Sequence, residues 1–172
     1  MPSLLLGCGN DRRKKVALNG ATSFVQPLIA LDMNPNCGAD VVHDLESRPL
    51  PFEDNTFDEM AAYDVLEHIG RQGDWRGFFE EFSEYWRILK PGGTFCIIVP
   101  VGMDHHADPG HTRFFEDTWF GFLDQDCYER RLAAGEPVTD YRWFYKRDFA
   151  VLAVERIGDP AHHLAVSLQK KV

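Results

Sequence analysis

The sequence predicts an α/β fold on a mostly parallel sheet that closes with an antiparallel hairpin. Three observations carry that reading. Short apolar runs, each closed by Gly or Asp, recur between residues 3 and 100, as buried parallel strands do. One amphipathic stretch, GDWRGFFEEFSEYWRILKPGG, separates the last two of these runs and has helical spacing. Near the end, RDFAVLAVERI and HHLAVSLQKK are β-rich and joined at Gly158-Asp159-Pro160, a hairpin signal. At 172 residues the chain reads as a single domain, residues 1–172, with room for a sizeable core.

Ser3 to Leu6 is an uninterrupted apolar run stopped by Gly7, the mark of a short, fully buried strand. QPLIAL, residues 26–31, is a second strand ending at Asp32, residues 41–43 a brief third, and FDEMAAYD a fourth that begins at Phe57 and ends near Tyr63 and Asp64. In the helix, Asp74 is placed as N-cap, and Phe78, Phe82, Tyr85 and Leu89 form the buried stripe. Lys90 suits the negative end of the helix dipole, Pro91-Gly92-Gly93 stops the helix, and TFCIIVP follows as a fifth strand. Between the first two strands, NDRRKKVALNGATSFV has no amphipathic period. It also sets four basic residues where a helix N-terminus would repel them. The first crossover helix is therefore expected to be shortened or absent.

Composition narrows the function. Hydrophobic residues make up 44% of the chain, as in globular proteins, and the net charge of -9 argues against a tight, salt-sensitive hold on nucleic-acid phosphates. Cys8, Cys37, Cys96 and Cys127 stand alone with no CxxC or Cys/His finger spacing. No metal is expected on that ground, and the free thiols suit a reducing, cytoplasmic setting. No apolar stretch reaches the roughly 18 residues of a membrane span.

In an open parallel sheet, ligands bind beyond the carboxyl ends of the strands. Gly7-Cys8-Gly9 lies at such an end, where glycines let backbone approach a ligand; a simple tight turn is the other reading. Asp32 ends the second strand, placed to accept both hydroxyls of a ribose or to open an Asx-turn through DMNPN. Asp44 ends the third strand, placed to accept an adenine amino group while Leu45 packs on the ring, or to form a turn. Three successive strand ends carrying Gly or Asp suggest an adenosine. A dinucleotide fingerprint wants Gly at residue 12, which is Arg12.

The stretches LLLGCGN, LIALDMNP, DVVHDL, PLPFEDNTFDEM, YDVLEHI and WRILKPGGTFCIIVP resemble, in order, the motifs of class I S-adenosylmethionine-dependent methyltransferases, above all the small type 11 domains. The resemblance covers residues 4–100. It implies a Rossmann-like seven-stranded sheet, S-adenosylmethionine as cofactor and methyl transfer as activity. By position, it implies that Leu6, Gly7, Cys8 and Gly9 hold the methionine moiety. Asp32 takes the ribose, Met33 lies on the adenine, Asp44 and Leu45 frame it, and Tyr63 and Asp64 border the transferable methyl. Two positions depart from the family pattern. Leu5 stands where an acid is common and Asp11 where a glycine is common, and Asp11 would repel the cofactor's carboxylate.

His68 is placed as a general base for an acceptor hydroxyl or amine, or as a structural histidine. In DHHADPGHTRFF, the residues His105, His106, Asp108 and His111 can line a substrate loop, with His111 and Arg113 as polar contacts, or chelate a metal; the loop is the preferred reading. Residues 124–146 are read as a lid or as an excursion packing its aromatics inward. The Asn/Asp-Pro-Pro-aromatic motif of nucleic-acid amino methyltransferases is absent, which favours a small-molecule or sugar acceptor. The alternative is a binding module that works through a partner. Many members of the family carry helices before the first strand. With only Met1 and Pro2 before it here, the cleft is expected to be open unless residues 124–146, a second copy of the chain or a protein partner cover it. Residues 12–15 are expected to offer an acidic partner or acceptor a docking place, or to form a solvated loop.

Overall fold

The computed structural model describes residues 2–17 and 20–172. Its strands are β1 (Ser3–Leu6), β2 (Leu28–Asp32), β3 (Val41–Val42), β4 (Phe57–Tyr63), β5 (Leu89–Pro100), β6 (Phe149–Ile157) and β7 (His163–Lys170). They form one sheet in the order β3-β2-β1-β4-β5-β7-β6. The first five pair in parallel, and β7 runs antiparallel to both β5 and β6. This is the fold the sequence predicts. It brings the carboxyl ends of β1, β2, β4 and β5 to one edge, with β1, buried along its whole length, near the middle.

Helix α1 (Trp75–Ile88) starts where the sequence places it. The Asp74 carboxylate accepts from the Gly77 N–H at 3.0 Å and caps the first turn. Phe78, Phe79, Phe82, Tyr85 and Ile88 turn inward onto Leu4, Leu6, Met60, Phe95 and Ile97, and this face of the sheet holds the main core. The helix ends earlier than the Pro-Gly-Gly signal suggests. β5 already begins at Leu89 and bulges over residues 90–93, with Leu89 opposite Phe57 and Thr94 opposite Glu59. Pro91 forces the residue before it into extended backbone, so Lys90 leaves the helix and its ammonium meets Asp58 at 2.6 Å.

The other face of the sheet is covered differently. Among the described residues no helix lies between β1 and β2, as expected. Irregular backbone carries Val16 and Phe24 onto Leu5, Ala61, Tyr63, Cys96 and Ile98. Each of the four basic residues meets a carboxylate of this chain, while Arg12, Arg13 and Lys15 stay exposed. Arg12 pairs with Asp40 at 3.0 Å, Arg13 with Asp11 at 2.8 Å and Lys15 with Asp64 at 2.9 Å. Lys14 lies on the sheet against Glu59 of β4, both side chains at least nine-tenths buried, and Ser3 Oγ donates to the same carboxylate at 3.3 Å.

Residues 124–146 include helix α2 (Gln125–Ala133) and take the inward-packing alternative. Tyr128 and Tyr145 are buried, and Tyr141 stacks near Trp75 and Phe79 at 5.1 Å each. The segment therefore sits on α1, across the sheet from residues 12–24.

Removing one member of a buried ion pair strands the other's charge, at a cost of about 3–5 kcal/mol. Lys14→Met is expected to lose that much in urea unfolding. Lys14→Met with Glu59→Gln should recover most of it; equal loss in the double variant would show that the pair does not hold this face together.

Candidate active site at the carboxyl edge of the sheet

The turn after β1 is a tight backbone cradle. Gly7 and Gly9 have φ of 57° and 47°, a region that favours glycine. A Cβ on Gly7 would strike the Val65 side chain, whereas one on Gly9 would meet open space. Cys8 N–H donates to Leu31 O at 3.1 Å, tying the turn to β2. Gly9 N–H donates to Asp32 Oδ2 at 2.8 Å, and Asn34 N–H donates to Asp32 Oδ1 at 2.8 Å. Asp32 thus makes its Asx-turn and still keeps a free lone pair on each oxygen.

The neighbours divide. Met33 is 68% exposed, free to lie on a flat ring. The Asp44 Oδ1 accepts from Glu46 N–H at 2.9 Å. Leu45 is buried in the main core, so it can offer an adenine only backbone. The cysteines do not all stand alone. Cys8 and Cys37 gather with Asp32 under the turn, and burial with the Cys37 thiol beside it pushes Cys8 up to about 11.

At the end of β4, Tyr63 is buried beneath Lys15, whose Nζ lies 5.6 Å from the ring centre. Burial raises its phenol above the usual range. Asp64 adopts φ 55°, which Asp tolerates better than most residues. Its carboxylate reaches Lys15 at 2.9 Å and His163 Nε2 at 3.1 Å. Asp11 is held well below the usual carboxylate range by hydrogen bonds from Arg13, so its charge is partnered rather than aimed at a ligand.

Beyond β4, residues 66–68 make a single 3-10 turn. It sets exposed His68 beside His111, ring centres 4.6 Å apart, with Glu67 beneath them. Glu67 is 1% exposed. Burial, reinforced by the charges of Asp64 and Asp108, pushes it up to about 8. Its Oε1 lies 3.7 Å from His111 Nε2 and its Oε2 has no hydrogen-bond partner. His111 Nδ1 lies 2.7 Å from His105 O and His68 Nδ1 3.1 Å from Gly110 O. A carbonyl only accepts, so each Nδ1 carries the proton and each Nε2 is left with its lone pair. The histidine loop therefore splits. His111 joins His68, while His105 stacks on Phe114 with ring centres 3.6 Å apart, its pKa lowered by burial and by the other histidines.

The backbone segments that carry the two histidines run side by side, Thr112 N–H donating to Glu67 O at 2.9 Å and Gln72 N–H to Thr112 O at 3.1 Å. They lead into a cavity of about 290 Å³ walled by Trp75, Phe78, Phe79, Trp119, Phe122 and Tyr141. Arg113 borders it. The guanidinium is buried, 2.8 Å from Glu81, and its Nε has no partner. Sequence reasoning missed Glu67 and Lys15. The signal for Glu67 was its place next to His68 in LEH; Lys15 had none, since Asp64 lies 49 residues away.

The chain is similar to known proteins in sequence and in fold. The family model described as "Methyltransferase domain" matches residues 4–97. The 2-methyl-6-phytyl-1,4-hydroquinone methyltransferase 1 of Oryza sativa is 27% identical over 146 residues, 85% of this chain and 32% of that protein. The chain thus spans about a third of that relative's length. A crystal structure of a SAM-dependent methyltransferase from Archaeoglobus fulgidus superposes with a TM-score of 0.57 at 14% identity, covering 98% of this chain and 86% of that one. The protein seen in complex with the Trm112 methyltransferase activator of Haloferax volcanii superposes with a TM-score of 0.52 at 16% identity, over 99% and 83% of the two chains.

The two glycines are expected to differ in what they tolerate. Gly9→Ala bears only the left-handed backbone cost, about 1–2 kcal/mol. Gly7→Ala adds the clash with Val65 and should unfold at clearly lower urea. Val65→Ala should restore part of that loss but nothing to Gly9→Ala; equal effects at the two glycines would contradict the crowding at Gly7.

Proposed function

Because the chain belongs to the methyltransferase-domain family, whose cofactor is S-adenosylmethionine, we propose that it transfers the cofactor's methyl group to a small-molecule or sugar acceptor. The carrying observation is that the Gly9–Asp32 cradle, Asp64 and the two paired imidazoles all lie at one edge of the sheet. The residues fit the cofactor. Asp32 keeps a lone pair on each oxygen for the ribose hydroxyls, and the backbone of Leu6, Gly7, Cys8 and Gly9 borders the same end. Met33 and Asp44 flank the adenine position, with Leu45 offering backbone. Tyr63 forms the floor. Lys15 and Asp64, paired and each a little over one-third exposed, carry the charges that an amino-acid carboxylate and ammonium need. Their opening compensates for the missing acid at Leu5.

The cofactor supplies an already activated methyl on a sulfonium sulfur, so the protein's task is to position the acceptor and exclude water. His68 and His111 lie at the acceptor's nucleophilic atom and promote the loss of its proton. The aromatic cavity beside them supports an acceptor with an apolar or ring-shaped body. The rice relative is named for a hydroquinone, which is consistent with such a body. No helix among the described residues is long and apolar enough to cross a membrane. We place the chain in the cytoplasm on its free cysteines.

A second reading is favoured by the cover of residues 12–17 and 20–24, which holds no helix: a domain that works only when a partner or a second copy covers the cleft. The Haloferax neighbour's complex with an activator supports this form.

S-adenosylhomocysteine is expected to bind the isolated chain in calorimetry, and Asp32→Ala should weaken it by about 2–3 kcal/mol, tens of fold. Equal binding by the variant would remove the ribose assignment. His68→Ala should keep cofactor affinity and lose about a hundredfold in methyl transfer across a panel of phenols and sugars. Transfer that appears only with an added partner would select the second reading.

A further inference from the structure

We propose that Glu67, His68 and His111 bind a divalent transition-metal ion. One ligand atom from each lies within 4.8 Å of the other two. The 3.7 Å between Glu67 Oε1 and His111 Nε2 is too long for a hydrogen bond. Two ligands on one tetrahedral ion lie roughly 3.4 Å apart, given metal–ligand bonds of about 2.1 Å. Both imidazoles are oriented as ligands usually are. Each gives its Nδ1 proton to a backbone carbonyl, His105 O or Gly110 O, and so presents Nε2 unprotonated. A side chain at Gly110 would crowd that approach, since a Cβ there would lie 3.0 Å from His68 Nδ1.

A second, independent observation is the Glu67 oxygen Oε2, buried and without any hydrogen-bond partner. Natural interiors seldom leave a carboxylate oxygen so. Two imidazoles with one carboxylate suit Zn²⁺, Co²⁺ or Fe²⁺ better than Mg²⁺ or Ca²⁺, which prefer oxygen shells. Three protein ligands with His68 at the surface leave a coordination position open, as catalytic sites do.

This deepens the methyltransferase reading, on which its catalytic meaning rests. An acceptor hydroxyl bound at the open position would lose its proton to solvent more readily. The oxygen pair would then form the bond to the methyl carbon while the carbon–sulfur pair returns to sulfur. His68 and His111 would act through the ion rather than as proton acceptors.

The test is binding of Zn²⁺ to the chelator-treated full chain by calorimetry, with Co²⁺ visible absorption as a second readout. One ion per chain is expected, weakened at least about a hundredfold by His68→Ala, an exposed position where folding is safe, and equally by His111→Ala. Cys37→Ser should leave binding unchanged, because Cys8, Asp32 and Cys37 form a separate cluster. No binding at millimolar Zn²⁺, or binding that survives His68→Ala or is lost in Cys37→Ser, would overturn the proposal. Metal binding without S-adenosylhomocysteine binding would retain the metal site and refute the methyltransferase reading; the reverse would do the opposite.

Discussion

The buried pair of Lys14 on Glu59 is the constraint around which one whole side of the protein is arranged. Glu59 faces away from α1, on the side of β4 where no helix among the described residues covers the sheet. A carboxylate buried there alone would cost several kcal/mol. Lys14 and Ser3 satisfy it, and Lys14 can do so only if irregular backbone lies flat on the strands. That placement sets its neighbours. Arg12 falls to Asp40 after β2, Lys15 reaches Asp64 after β4, and Val16 and Phe24 close over Leu5 and Tyr63. A polar interaction on the sheet thus does the covering that a crossover helix would do by apolar packing.

The same arrangement shapes the cleft. The strap ties the start of β3 to the end of β4 through the Arg12–Asp40 and Lys15–Asp64 pairs. Asp32 is fixed by two backbone N–H groups and Asp64 is held between Lys15 and His163. In the proposed site the nucleoside end is therefore held by backbone hydrogen bonds, while the proposed amino-acid end is an ion pair that a zwitterionic ligand could exchange. Past Asp64 the chemistry changes from charge to imidazole, and past His111 to an aromatic wall.

Most of the strand positions were legible because buried parallel strands are written as local apolar runs, and the hairpin and the Asp74 cap are equally local. The absent first helix was legible from the missing period and the four adjacent cations. What was not legible is every pairing across distance. The basic run looked available because its partners, Asp40, Glu59 and Asp64, lie on later strands and turns. Lys90 looked like a helix-end cation because the Pro-Gly-Gly signal hid the β5 bulge. Cys8 and Cys37 looked isolated because their meeting depends on the register of β1 against β2. In the site, His68 and His111 could be named but not joined. Their union with Glu67 needs the backbone of residues 110–113 laid along the 3-10 turn, and no local pattern encodes that.

The most direct measurement is a crystal structure of the chain with S-adenosylhomocysteine bound. The expected result has the ribose on Asp32, the sulfur facing Asp64 and His68, Lys15 turned from Asp64 toward the ligand's carboxylate, and Lys14 still on Glu59. A ligand bound elsewhere would contradict this, as would residues 12–24 rebuilt as a helix with Lys14 withdrawn from Glu59.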